Sequence, residues 1–181
     1  EFMTYLPKKF QNKVVSAQPL ATAWIETRTE REMALYSHLV NITHDIIAEA
    51  FSEKVITPGI TTTTDVEWWM RDKVTQLGLE TWFHPSVDIQ RSQEVMGDHL
   101  YAFSNRPQEN IILPGDLVHC DFGITYLRLN TDCQELVYIL KPFETEAPEY
   151  LTQALAKGNL LQDLLTSNFK SGDSGNTILK N

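Results

Sequence analysis

Two aspartates, Asp121 and Asp132, lie in two apolar, β-prone runs, 117–125 and 130–140, that are separated by only a few residues, as the arms of a hairpin are. If the runs pair antiparallel with Asp121 opposite Asp132, both side chains point to one face, with Cβ atoms roughly 4.5–5.5 Å apart. Carboxylates that close disfavour each other's ionisation unless a cation, a shared proton or water screens them, and a divalent metal is the simplest remedy. Oxygen donors suit Mn, Mg or Ca, while a mixed carboxylate and imidazole set also admits Zn, Co or Fe, so the pair does not name the ion. The same register puts Cys120 opposite Cys133 on the other face, where two buried thiols are expected and not a disulfide. Spacing alone is a weak signal, since most Asp pairs of this kind are solvated hairpin residues.

The elements that must position the pair are legible in outline. Thr29 and Glu32 have capping-box spacing, and Leu35, Leu39, Ile42, Ile46 and Ala50 then recur every three or four residues, so a long amphipathic helix is expected from Thr29 to about 51–54. Pro58-Gly59 breaks the period, and Thr64 with Glu67 offers a second capping box for a helix from Asp65 to about Leu77. Gly78 suits a helix C-terminus, and Thr81 to Ile89 reads as a strand. Residues 90–110 are polar and read as a long connection that shapes a site. Pro148 can start a further helix with an apolar side of Leu151, Leu155, Leu161, Leu164 and Leu165, interrupted by Gly158, and Gly175 to Asn181 reads as another. Residues 1–28 are a lead-in: Glu1-Phe2 ahead of Met3 reads as residues left by a cloning site, followed by mixed sequence.

Composition narrows the classes. The chain has 181 residues, 42% hydrophobic and 10% aromatic, which is ordinary globular content for one α+β domain or a piece of one. Fifteen Lys and Arg against 24 Asp and Glu give a formal charge of −9, which makes nucleic acid a poor partner. No apolar stretch approaches the roughly 18–20 residues needed to cross a bilayer, so no membrane partner is expected. Two cysteines without C-x-x-C spacing are too few for a disulfide framework or a thiol site, and with the acidity they tilt toward a cytoplasmic setting.

Together, Pro114-Gly115-Asp116-Leu117-Val118, Asp121-Phe122-Gly123, Tyr126 and Asp132 resemble the G-D-x-V-x-x-D-x-G…Y…D signature of the pita-bread metallopeptidases, which include methionine aminopeptidase, aminopeptidase P, prolidase and creatinase. The resemblance covers roughly residues 29–181, and the stretch from Trp82 to Val87 together with the run from Asp121 to Asp132 is most similar to the bacterial Xaa-Pro peptidase branch. It implies an α+β pita-bread fold, amino-terminal half, with an antiparallel sheet covered by helices. It also implies a two-metal site for Mn, Co or Zn in which Asp121 and Asp132 are ligands, one chelating one ion and the other bridging both. The substrate it implies is a peptide, probed at its free amino terminus, with removal of one residue, of the Xaa-Pro type. The family site further needs a His and two Glu from the second half of the domain, after Asp132, and none is assigned here. The stretch alone is therefore expected to bind metal weakly or not at all and to be inactive, because affinity depends on ligand count and preorganisation. Apolar surface that the rest of the domain would cover is then expected to be exposed, or covered in a homo-oligomer. The lead-in resembles the end of a domain that precedes the catalytic one in aminopeptidase P relatives.

Several other residues have both a functional and a plainer role open to them. His99 stands roughly where the resemblance puts a substrate-contacting histidine, and His84 lies near the start of the expected strand; a polar-loop or locally satisfied histidine is the commoner outcome for each. His119 shares the strand face of Asp121 and is a candidate to support it. Asp121-Phe122-Gly123 also fits a kinase string, but no glycine-rich loop, V-A-I-K lysine or H-R-D loop precedes it. A non-catalytic peptide- or protein-binding module of the same fold, or a creatinase-like hydrolase, remain the alternatives.

Overall fold

The computed structural model describes residues 2–92 and 110–180. The chain divides into two compact units, residues 1–39 and 40–181. The first contains three short helices, α1 (Phe2–Tyr5), α2 (Lys8–Gln11) and α3 (Gln18–Glu26), and the start of α4 (Glu30–Ala50), so the lead-in is mostly helical. Thr29 caps α4 as its spacing predicts: its N–H and hydroxyl donate to Glu32 Oε2 at 2.7 and 2.9 Å, and its hydroxyl accepts from the Glu32 N–H at 3.3 Å.

In the second unit, helix α5 (Thr63–Gln76) begins earlier than Asp65, because its capping box is formed by Thr62 and Asp65 and not by Thr64 and Glu67. Asp65 Oδ2 accepts from the Thr62 N–H at 2.9 Å, which leaves Glu67 free to accept from the Val87 N–H at 3.0 Å and tie the helix to the sheet. That sheet is antiparallel, in the order β1 (Ser86–Arg91), β2 (Asp116–Phe122), β5 (Cys133–Tyr138). Strand β1 starts later than the expected Thr81, at Ser86: Pro85 has no N–H to give a ladder, and Trp82 and Phe83 stack edge-on in the loop before it, ring centroids 4.8 Å apart. Val87, Ile89, Val118, Cys120 and Phe122 are buried, as are Ile46 and Ile47 of α4 and Val66, Met70 and Val74 of α5, and these form the core of the unit.

Strands β2 and β5 are arms of one hairpin whose tip is the short pair β3 (Thr125–Tyr126) and β4 (Leu129–Asn130). The tip is a two-residue loop, Leu127-Arg128, with both φ values positive, 48° and 67°, as a twist-matched type I′ connection requires. This centres the hairpin one residue later than expected, so Asp121 faces Gln134, Cys120 faces Glu135 and Phe122 faces Cys133. The expected oppositions of Asp121 with Asp132 and of Cys120 with Cys133 are therefore wrong by two residues. A two-residue slip leaves every side chain on its original face, so Asp121 and Asp132 still share one, as diagonal neighbours. Both thiols are free; Cys120 is buried, with its pKa pushed up to about 12 chiefly by that burial, while Cys133 is only half-buried.

Helix α6 (Glu149–Ser167) starts after Pro148 and runs through Gly158 without a break. None of its residues is buried, and Leu155, Leu160, Leu161 and Leu164 are exposed. The last helix, α7 (Gly175–Ile178), is capped by the Ser174 side chain. Among the described residues no helix is long and apolar enough to cross a membrane.

Candidate metal centre

The two faces of the sheet differ in chemistry. One is covered by α4 and α5; the other carries Ser86 and Asp88 on β1, His119 and Asp121 on β2, and Gln134 on β5, with Ser86 and Gln134 flanking Asp121 directly on either side. Asp132 stands just before β5, exposed, on this second face.

Strand β2 is pinned at its start by a second aspartate that faces inward. Asp116 is fully buried, and Arg91 meets it with two parallel bonds, Nε to Oδ1 at 2.7 Å and an Nη to Oδ2 at 2.8 Å, while the Leu113 N–H donates to Oδ2 at 2.8 Å. Gly115, at φ +92°, turns the chain into that arrangement. No local signal marks the partner of Asp116, because Arg91 lies on a neighbouring strand and is matched to it only by register.

The backbone ahead of Asp132 is held from several directions. The Thr131 carbonyl accepts from Trp82 Nε1 at 2.7 Å, the Thr131 N–H donates to the Ile124 carbonyl at 2.9 Å, and its hydroxyl accepts from the Ile124 N–H at 3.0 Å. The same hydroxyl is 2.8 Å from the hydroxyl of Thr43 on α4, with both threonines buried, and Glu135 on β5 pairs with His44 of α4 at 3.1 Å. Gly123 lies against this knot: a Cβ there would sit 2.0 Å from the Thr131 carbonyl oxygen and 2.6 Å from Trp82 Nε1. A glycine at this point is thus a packing requirement, set by the close approach of backbone and indole.

So held, the two carboxylates meet. The pKa of Asp121 is raised above the usual carboxylate range, first because burial penalises its charged form and then because the Asp132 carboxylate lies beside it; nearby His119 and the bond from Gln134 pull the other way. Asp121 Oδ2 accepts from Gln134 Nε2 at 3.3 Å, whereas Oδ1 is buried without a hydrogen-bond partner among the described residues. A buried carboxylate oxygen with no donor, next to a second carboxylate, is a costly arrangement that a hard divalent cation would relieve, so the donor set fits such an ion. Among the described residues no group of three or more His, Cys, Asp or Glu comes together as a metal shell, so Asp121 and Asp132 are at most part of one.

Of the histidines, His119 bonds through Nε2 to Gln134 Oε1 at 3.2 Å, on the face of Asp121. His84 is engaged by α5 instead: Nδ1 is 3.3 Å from an Arg71 Nη, Nε2 is 3.6 Å from Glu67, and its ring stands edge-on to Trp68 at 5.5 Å. His99 lies outside the described residues. Gln134 went unnoticed in the sequence; only the correct register reveals it as the residue opposite Asp121. A groove of about 360 Å³ between α4 and α5, lined by residues including Ile42, Ile46, Lys73 and Leu77, contains neither aspartate.

The sequence profile of metallopeptidase family M24 matches residues 34–178. Among solved structures, the chain resembles the X-Pro aminopeptidase from Thermotoga maritima MSB8 with a TM-score of 0.67 at 17% identity, covering 88% of this chain and 42% of that one. Recombinant prolidase from Thermococcus sibiricus follows with a TM-score of 0.59 at 15% identity, covering 91% and 43%. Aminopeptidase P from E. coli gives a TM-score of 0.56 at 18% identity, covering 84% and 31%. At such identities the likeness is one of fold, and the chain spans less than half the length of each of these structures. No curated protein matches the chain in sequence.

Proposed function

The chain belongs to metallopeptidase family M24, with the α+β pita-bread fold, amino-terminal half, and from that premise we propose that the protein containing it is a metal-dependent aminopeptidase that removes the residue ahead of proline from Xaa-Pro peptides. In this reading Asp121 and Asp132 are ligands of a site for two divalent ions, Mn, Co or Zn, whose remaining ligands come from outside residues 1–181, and His99 contacts the substrate. The observation that carries it is the convergence of the two carboxylates with Asp121 Oδ1 buried and unpartnered, inside a sequence matched by the family profile.

The chain's own contribution is preorganisation. The knot at Thr131 and Gly123 fixes the backbone that carries Asp132, and the β2 ladder fixes Asp121, so the donors meet their ion without rearranging. Bound there, divalent ions supply a water of lowered pKa and a Lewis acid for the scissile carbonyl. Burial of the Asp121 oxygen keeps water from competing for it, and two adjacent carboxylates raise the local affinity for cations.

The test is hydrolysis of Xaa-Pro peptides by the full-length protein supplied with Mn, Co or Zn, alongside Asp121→Asn and Asp132→Asn. Each variant should lower kcat/KM by more than the roughly 10- to 100-fold that loss of a residue supporting a ligand costs. Wild-type turnover by Asp121→Asn would remove the basis of the proposal.

A further inference from the structure

Resting on the reading of Asp121 as a metal ligand, we propose that Gln134 is a positioning residue that selects which oxygen of Asp121 is presented to the cation, and that His119 acts through it.

Gln134 and Asp121 are directly opposed across β5 and β2, so their side chains rise from the same face as close neighbours. Gln134 Nε2 is 3.3 Å from Asp121 Oδ2, and Gln134 Oε1 is 3.2 Å from His119 Nε2. A carboxamide has one donating and one accepting end, and an ionised carboxylate only accepts. The NH2 end of Gln134 must therefore face Asp121, which leaves Oε1 to accept a proton from His119 Nε2. The reverse orientation would set two acceptors against each other, so the three side chains have one consistent arrangement, with the imidazole proton of His119 on Nε2.

The consequence falls on Asp121. The terminal torsion of an aspartate is broad and nearly two-fold, so an unheld carboxylate presents either oxygen. Gln134 engages Oδ2, and the oxygen left without a partner among the described residues is the buried Oδ1. A ligand held by an outer hydrogen bond in this way binds its ion without first losing rotational freedom. Gln134 is itself exposed and not part of the core, so its replacement leaves folding intact.

The experiment measures Mn2+ binding isotherms on the full-length protein for the wild type, Asp121→Asn, Gln134→Leu, His119→Phe and the Gln134→Leu/His119→Phe double variant. Gln134→Leu should weaken binding by roughly 10- to 100-fold, and because His119 works through Gln134, adding His119→Phe to it should change the affinity by no more than about 2-fold. In the metal-free wild type, 15N spectra should find His119 protonated on Nε2, and in Gln134→Leu as a mixture of tautomers. If Asp121→Asn binds Mn2+ like the wild type, the metal reading itself fails. If Asp121→Asn loses binding while Gln134→Leu stays within about 2-fold of the wild type, the metal reading stands and the role of Gln134 is overturned. Additive losses in the double variant, or a His119 proton on Nδ1, overturn the linkage through His119.

Discussion

Strand β2 carries an aspartate at each end, and the two are opposites. Asp116 is wholly buried yet has donors on both oxygens, from Nε and an Nη of Arg91 and from the Leu113 N–H. Asp121, on the other face of the same strand, is half-exposed, with a second carboxylate beside it and one buried oxygen that has no donor among the described residues. Burial alone would make Asp116 the costlier carboxylate to hold. The donors make the difference: a carboxylate with donors on both oxygens is structural, and one left short of donors by a well-ordered frame is a candidate site.

The widest gap between the two ends should come from cutting the Arg91 pair. Arg91→Met leaves the Asp116 charge buried and uncompensated, a change that typically costs about 3–5 kcal/mol. Urea unfolding of the metal-free protein measures it, and a loss well under about 1 kcal/mol would mean that Asp116 finds another partner or water and the contrast is overdrawn.

Next in size are changes to the frame that holds Asp132. Gly123→Ala drives a methyl against the Thr131 carbonyl and the Trp82 indole, neither of which is a flexible chain end, so the backbone must shift. The expected cost is about 1–3 kcal/mol, as for other overpacked sites, together with weaker Mn2+ binding by the full-length protein. Thr131→Val removes the acceptor for the Ile124 N–H and the partner of the Thr43 hydroxyl, both buried, and should cost about 1–3 kcal/mol. Thr43→Val added to Thr131→Val should recover part of that loss, since a pair of apolar groups is less costly than a lone buried hydroxyl. A double variant as unstable as the sum of its singles would show that the hydroxyl contact does not couple the helix to the hairpin.

How far these arrangements could be read from the sequence depends on whether the signal is local. The Thr29 cap, the break at Pro58-Gly59 and the common face of Asp121 and Asp132 follow from spacing of a few residues or from the two-residue period of a strand. The register did not, because its tip is Leu127-Arg128: neither residue favours positive φ, so nothing local marks the loop that centres the hairpin. Every cross-strand assignment inherited that ambiguity, including Gln134 opposite Asp121 and Arg91 beside Asp116. At α5 two overlapping boxes, Thr62 with Asp65 and Thr64 with Glu67, fit the same local rule. The choice was made by a distant group, the Val87 N–H, which takes Glu67 for itself.

The smallest effect separates the two aspartates by pH. With its folded pKa raised, Asp121 contributes stability that is fully present below the ordinary carboxylate pKa and is lost as pH rises through the raised value. The metal-free protein should therefore gain from this one group on acidification across that window, against the general trend of acid denaturation. Asp121→Asn removes the repulsion from Asp132 at every pH, so its stability relative to the wild type should be highest at neutral pH and should shrink as pH falls and the wild-type carboxyl takes up its proton. Urea midpoints for both proteins, compared between neutral and acid pH, measure the convergence. Saturating Mn2+ on the full-length wild type should abolish the neutral-pH deficit, since a cation screens the pair as a proton does. If the difference between Asp121→Asn and the wild type is flat across the window, the two carboxylates do not feel each other, and Asp121 belongs with Asp116 as a structural group.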